Sequence, residues 1–339
     1  MLTTKHHDGF AMWPTALTDW SIARTPYRGD LVGEFVEACR AEGLRVGLYH
    51  SLSDWHHPDY PAFTEADLPY AFIGYRRADP KAWERYLEVL HGQVRELLTG
   101  YGAIDLLWFD GQWERTPDEW RSDQLRAMIR DLQPDCLVND RLPGPADFET
   151  PEQFLPPVAP GGRWEMCLTM GDSWGFRPDD TYKSAGSLVR TLCKVAGRGG
   201  NLLLNVGPGP DGSLPAPQVE RLEAIARWMD RHAEAVHGTV AGLEPWQWYG
   251  PSTRRGDRTY LFCLARPYES VTVRGVPVRR VQRIVDLATG EELAFRTRMS
   301  VVDELLAPDP AGEVTVTIGD HHLDEFATVL ALDITPNVR

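Results

Sequence analysis

Residues 104–110 read Ile-Asp-Leu-Leu-Trp-Phe-Asp, and Gly111 follows. The run is apolar enough to be buried on both faces, as strands of a parallel sheet are. Parallel neighbours need long crossovers, usually helical, so this run commits the chain around it to alternating strand and helix. It then stops on a carboxylate. Burying a bare charge is costly unless the charge is paired. At the C-terminal face of a parallel α/β barrel, such strand tips carry the active site. The plain alternative is an Asp-Gly turn after a strand.

The rest of the chain keeps that alternation up to about residue 240. Residues 2–5 read as a short strand running into His6-His7-Asp8-Gly9-Phe10. Residues 29–40 pattern as an amphipathic helix, with Asp30 as N-cap and Gly43 as the stop. Residues 45–50 are the next strand, ending in Tyr49, His50 and Ser51. A proline-broken loop over 54–60 carries His56-His57. Residues 80–99 form a long helix with Trp83, Tyr86, Leu87, Leu90, Val94, Leu97 and Leu98 at helical spacing. A helix over 118–132 leads to a short strand at 136–139, then Asp140-Arg141. The stretch 142–163, rich in Pro, Gly and acid, reads as a long active-site loop. Strands at 164–168 and 201–205 flank a helix at 182–195, and a long helix lies within 215–238.

After about residue 243 the texture changes to short β runs at 260–264, 270–273, 281–286, 314–318 and 327–332, parted by Gly, Pro and charged turns. This predicts an α/β fold: a (β/α)8-type TIM barrel over residues 1–240 with a C-terminal all-β sandwich domain over 241–339. A closed barrel needs eight strands, and only six are read here. The first two strands are therefore expected to be absent from this sequence. A start codon placed too late is the favoured account, ahead of a decayed gene or a partner chain that fills the gap.

A net charge of −14 argues against a nucleic-acid surface. No stretch approaches a membrane-spanning run of apolar residues. The first residues show no basic and apolar leader, but with the start in doubt the compartment stays open. Oligomeric state is equally open, a homo-oligomer included. Five scattered cysteines without a Cys-x-x-Cys spacing point to buried thiols, not a zinc site or a disulfide framework. Twelve Trp beside ten His suit a pocket that packs indole on the apolar face of a sugar, although Trp is also a good core residue.

Seven segments in order resemble the retaining α-L-fucosidases of glycoside hydrolase family 29. They are Thr4-Lys5-His6-His7-Asp8-Gly9-Phe10 with Trp13; Gly47-Leu48-Tyr49-His50-Ser51 with Trp55; Leu107-Trp108-Phe109-Asp110-Gly111; Asn139-Asp140-Arg141; Trp164-Glu165-Met166-Cys167; Ser173-Trp174-Gly175-Phe176; and the run from Gly199 to Pro208. Together they cover essentially the chain up to about residue 240. The resemblance implies the same barrel plus sandwich, and a fucosylated glycan as the substrate.

A retaining glycosidase needs two carboxyl groups about 5–5.5 Å apart, one as nucleophile and one as acid/base. Asp110 is short, sits at a strand tip beside a glycine, and falls on the family's nucleophile. The acid/base must be protonated when the leaving oxygen needs a proton. Glu149, Glu152 and Glu165 are the candidates. Glu152 leads, because the family draws this residue from the variable loop; Glu165, on a strand, is the alternative. By the resemblance, His6 and His7 hydrogen-bond sugar hydroxyls, Tyr49 and Trp108 line the pocket, Arg141 binds the sugar and steadies the carboxylates, and Trp174 packs on the C5 methyl. His50 could take the role of Tyr49. His56-His57 reads as pocket rim and Gly207-x-Gly209 as a turn.

No metal is expected. Adjacent residues on a strand point to opposite faces, which would part His6 from His7, and a third ligand at a sensible spacing is missing. No cofactor is needed. The predicted activity is exo-hydrolysis of terminal α-L-fucose through a covalent glycosyl-enzyme intermediate. Two readings stay open beside it: a carbohydrate-binding relative without catalysis, and a retaining glycosidase for another sugar such as an α-galactoside.

Overall fold

The structure, a computed structural model, describes residues 1–61 and 79–336. The chain divides into two compact units, Met1–Thr150 and Pro151–Arg339. In the first, β1 (Leu2–Lys5), β2 (Gly47–Ser51), β3 (Leu106–Asp110) and β4 (Leu137–Val138) form one parallel sheet in the order β1-β2-β3-β4. The helices between them are α1 (Leu31–Ala41), α2 (Pro80–Gly100), α3 (Pro117–Trp120) and α4 (Ser122–Leu132). As the sequence predicts, Asp30 caps α1: its side chain accepts from the Gly33 N–H at 2.9 Å. The core holds Val32 and Val36 of α1, Leu90, Val94 and Leu97 of α2, Leu48 of β2, and Leu107 and Phe109 of β3.

The single helix expected over 118–132 is two. Arg121 takes a left-handed conformation, φ 52°, and ends α3 as α4 begins. Local interactions hold this break. Thr116 and Glu119 form a capping box on α3, and the Trp120 indole is buried and donates to the Gln112 carbonyl at 3.0 Å. The Arg121 guanidinium grips Glu84 on α2. None of these contacts shows as a change in periodicity.

β4 has only two residues, which pair with Leu106 and Leu107. The side chain of the next residue continues the ladder. Asn139 Oδ1 accepts from the Phe109 N–H at 2.8 Å, and Asn139 Nδ2 donates to the Phe109 carbonyl at 3.0 Å. Both bonds are buried. Replacing Asn139 with Ala leaves a buried N–H and a buried C=O of β3 unpaired, so it is expected to destabilise the chain by about 2–3 kcal/mol. Urea unfolding checks this, and an unchanged midpoint would contradict it.

In the second unit β5 (Glu165–Thr169) pairs parallel with β6 (Asn201–Asn205), and α5 (Ala185–Ala196) lies between them in sequence. α6 (Ala216–His232) follows. The remaining strands are β7 (Val240–Ala241), β8 (Ser252–Arg255), β9 (Arg258–Cys263), β10 (Ser270–Pro277), β11 (Val281–Asp286), β12 (Phe295–Arg298), β13 (Ala311–Thr317) and β14 (Thr328–Ile334), with a short α7 (Val301–Leu306). They form two antiparallel sheets, β11-β14-β9-β8-β7 and β10-β13-β12. Leu261, Ile284, Leu330 and Leu332 from the first share one core with Val271, Val273, Val314 and Val316 from the second. That is the layering expected of the C-terminal part.

β14 shows why its run is apolar throughout. Leu330 and Leu332 face the second sheet, whereas Val329 and Ala331 pack with Val189 and Cys193 of α5 and Trp228 of α6. β7, β8 and β12 were not anticipated; β8 (Ser-Thr-Arg-Arg) and β12 (Phe-Arg-Thr-Arg) lack a clean apolar alternation. Among the described residues the parallel strands form a four-stranded and a two-stranded sheet, with no closed ring.

Candidate active site

Asp110 ends β3 and is 8% exposed. In the register between β2 and β3, Tyr49 lies opposite Trp108 and Ser51 opposite Asp110. Side chains alternate along a strand, so these four share one face. The Tyr49 hydroxyl donates to Asp110 Oδ2 at 2.9 Å and lies 3.0 Å from Ser51 Oγ. His50 belongs to the opposite face, with its Nδ1 3.1 Å from Thr4 Oγ1 and its ring against Trp13. Tyr49, not His50, therefore reaches the carboxylate.

Two cationic or potentially cationic groups approach Asp110. Arg141 donates through Nη1 to Oδ1 at 2.7 Å, and His7 Nε2 lies 3.5 Å from Oδ2. Burial alone would push the Asp110 carboxyl up. The hydrogen bond from His7 and the Arg141 charge outweigh burial and hold it well below the usual carboxylate range. The same surroundings push the Tyr49 hydroxyl far up, through burial first and the Asp110 charge second. The site thus keeps an ionised carboxylate beside a phenol that stays protonated.

Rings form the walls around this carboxylate. His6 stacks on Tyr49 with centroids 5.4 Å apart, and Tyr49 stacks on Trp108 at 5.5 Å. The Arg141 guanidinium lies over Trp108, 4.5 Å from the ring centre. His7 packs against Trp55 and Trp113. Arg141 is aimed from behind by Thr150, whose Oγ1 accepts from Nε at 3.1 Å and whose carbonyl accepts from Nη2 at 3.2 Å.

His6 and His7 do not point to opposite faces, as strand alternation predicts. β1 stops at Lys5, and the pair sits in a turn closed by the Gly9 N–H donating to the His6 carbonyl. The ligand atoms of His6, His7 and Asp110 all come within 4.8 Å of one another. The spacing argument against a metal pair therefore fails at this turn. Electrostatics still oppose a metal ion here, because the Arg141 cation already occupies Asp110 Oδ1.

Sequence reasoning missed four supporting groups. Ser53 Oγ sits 2.6 Å from His7 Nδ1, which leaves Nε2 facing Asp110. Gly111, at φ +83°, makes room for that pair: a Cβ there would come within 2.4 Å of Ser53 Oγ. Glu114, fully buried, accepts from Trp55 Nε1 at 2.9 Å and from the Tyr60 hydroxyl. Asn139 and Thr150 complete the set. Only Ser53 had a readable signal, since it follows Ser51 by two along the extended chain. His56 and His57 line a cavity of about 360 Å³ with Gly9, Trp20 and Asp54, and Trp20 stacks on His56 at 4.4 Å.

Residues 1–234 match the profile of the α-L-fucosidase family. The chain belongs to that family. Among solved fucosidase structures, isoenzyme 1 from Paenibacillus thiaminolyticus is 37% identical with a TM-score of 0.84, covering 98% of this chain and 82% of that one. A Bacteroides thetaiotaomicron family 29 enzyme, trapped as a covalent intermediate with 2-fluoro-fucosyl fluoride, is 28% identical at a TM-score of 0.84, covering 98% and 78%. The Dictyostelium discoideum α-L-fucosidase is 28% identical over 82% of this chain, and the chain spans only 61% of that relative's length.

The remaining candidates of this fucosidase-family chain lie in or beside the stretch read as a loop. Glu149 is exposed in the first unit. Glu152, in the second, is half-buried and held in place by backbone pairing: it bridges in parallel to Cys167 of β5, and the Gln153 N–H donates to the Cys167 carbonyl at 2.8 Å. Glu165 is the first residue of β5, also half-buried, opposite Asn201 of β6. Trp174 is 40% exposed, and its carbonyl accepts from Asn205 Nδ2 at 2.8 Å.

Proposed function

We propose that the chain is a retaining exo-α-L-fucosidase that releases terminal α-L-fucose from a glycan through a covalent glycosyl-enzyme intermediate. One observation carries the reading. A buried carboxylate at a parallel-strand tip is held ionised by Arg141 and His7 and walled by Tyr49, Trp108 and His6. An ionised carboxylate is what a glycosyl nucleophile must be. Family membership and the covalent intermediate trapped in the Bacteroides relative support the same assignment.

In this mechanism Asp110 attacks the anomeric carbon as the bond to the leaving oxygen breaks. Glu152 gives that oxygen a proton and then takes one from water, which opens the glycosyl ester; Glu165 is the alternative for this role. His6, His7 and Arg141 hydrogen-bond sugar hydroxyls, Tyr49 and Trp108 line the pocket, and Trp174 packs on the 6-deoxy methyl. The six parallel strands are read as part of a (β/α)8-type barrel within residues 1–240, followed by a β-sandwich domain at 241–339. The TM-scores to fucosidase structures support that architecture.

The test is hydrolysis of an aryl α-L-fucoside followed by proton NMR. The first-formed sugar should be α-L-fucose, and the matching α-galactoside should turn over far more slowly. A β product or equal galactoside turnover would refute the assignment. Glu152→Gln should lower kcat/KM for a substrate with a poor leaving group by about a hundredfold or more while sparing kcat/KM for an activated aryl fucoside, whose kcat falls because the second step loses its base. If Glu165→Gln gives that pattern instead, the acid/base is Glu165.

A further inference from the structure

A second cluster of histidine and carboxylate lies in the antiparallel part of the second unit, and the proposed hydrolysis does not use it. β11 ends at Asp286, and the chain turns back through Leu287-Ala288-Thr289-Gly290 to Glu291. The Asp286 carboxylate fastens the turn: Oδ1 accepts from the Ala288 N–H at 3.1 Å and Oδ2 from the Thr289 hydroxyl at 2.9 Å. Opposite this turn, a short 3-10 segment (Asp320–His322) presents two adjacent imidazoles, with ring centres 3.9 Å apart.

The two pieces meet at Glu291. Its Oε2 lies 3.8 Å from His321 Nε2 and 3.9 Å from His322 Nδ1. The ligand atoms of Glu291, His321 and His322 all fall within 4.8 Å of one another. Contacts of 3.8 and 3.9 Å are too long for hydrogen bonds. They are close to the edge of a tetrahedron with metal–ligand bonds of about 2.0–2.2 Å, where neighbouring ligand atoms sit roughly 3.3–3.6 Å apart.

Two further features bear on the cluster. Asp286, buried, places Oδ2 3.2 Å from the same His322 Nδ1, so a bound ion takes the place of the proton that the two share. The His321 ring is folded back over Gly319, where a Cβ would come within 2.7 Å of it. A glycine at 319 is therefore what lets His321 turn toward Glu291. His321 and Glu291 are mostly exposed, so an ion would reach them from solvent.

We propose that Glu291, His321 and His322 form a binding site for a divalent transition metal, zinc by the nature of two imidazoles and one carboxylate. Water completes the coordination. The ion would fasten the turn after β11 to the 3-10 segment before β14. It takes no part in glycoside hydrolysis.

The experiment uses the untagged 339-residue chain, stripped with a chelator and titrated with zinc sulfate under equilibrium dialysis, with bound metal measured by mass spectrometry. The wild type should bind one zinc per chain at this site and melt at a higher temperature with the metal present. His321→Ala and Glu291→Gln, both at exposed positions, should each weaken binding at least about tenfold and abolish the melting shift. Asp110→Asn, which alters the other His-carboxylate cluster, should leave this binding intact. Absence of bound zinc at about 100 µM free metal, binding undiminished in both surface variants, or binding lost only with Asp110→Asn would each overturn the proposal.

Discussion

Asp110→Asn is expected to cut turnover of an aryl α-L-fucoside by about a thousandfold or more, roughly 4 kcal/mol of barrier, with the fold retained. The replacement keeps shape and burial and removes the charge. An amide cannot form the glycosyl ester, so the two-step route closes. Its oxygen can accept from Arg141 or from Tyr49, but the amide N–H₂ then faces the other donor, so the pocket also loses one good hydrogen bond. A structural role alone would not survive a second variant. In Asp110→Gly, azide should enter the vacated space and attack the anomeric carbon from the face Asp110 used. The aryl alcohol leaves and β-L-fucosyl azide forms. Rescue with that configuration marks Asp110 as the nucleophile. Turnover by Asp110→Asn close to wild type would remove it from that role.

Arg141→Met should produce the largest stability change. Among the described residues it leaves the buried Asp110 carboxylate with Tyr49 and His7 and no guanidinium, and breaking a buried ion pair costs about 3–5 kcal/mol. The pH dependence identifies the cause. In the wild type the folded carboxyl titrates below its unfolded value, so its stabilising contribution is complete above about pH 4 and is lost as pH falls from there through the depressed folded pKa. Without Arg141, burial dominates and the carboxyl titrates higher. Protonation then relieves the buried charge, and the gap between variant and wild type narrows as pH drops. The acid limb of kcat/KM should move to higher pH for the same reason. Thermal melts at several pH values check this. In the double variant Arg141→Met with Asp110→Asn, most of the lost stability should return; a double variant as unstable as the single one would assign the loss to contacts of Arg141 other than Asp110, among them Trp108 and Thr150.

Much of the site's geometry could be read from period-2 alternation. Asp110, Trp108, Tyr49 and Ser51 lie on one face because strand side chains alternate, and the same rule sends His50 to the other face. The rule misled at His6-His7, because it holds only while the strand lasts and β1 ends one residue earlier. Nothing in local pattern announces where a strand frays into a turn. The break at Arg121 was hidden for a similar reason: it is held by Glu84 and by Trp120, contacts that periodicity does not encode. Asn139 and Thr150 were illegible as supports, because what they do depends on a neighbouring backbone far away in sequence. The acidic stretch before β5 read as loop, whereas Glu152 is tethered to Cys167 by a single bridge, too short to leave a strand signature.

The amide of Asn139 does more than lengthen a two-residue strand. Arg141 lies two residues beyond it, so the Asn139–Phe109 pairing sets whether the guanidinium arrives at Asp110 or faces away. A slip of one residue in β4 would move Asn139 off Phe109, displace the turn that carries Arg141 and leave the buried carboxylate without its guanidinium. The misaligned sheet would then carry the same penalty of about 3–5 kcal/mol that Arg141→Met introduces by design. The charge pair at the heart of the pocket thus proofreads assembly: the chain reaches a low free energy only in the alignment that also makes its nucleophile usable.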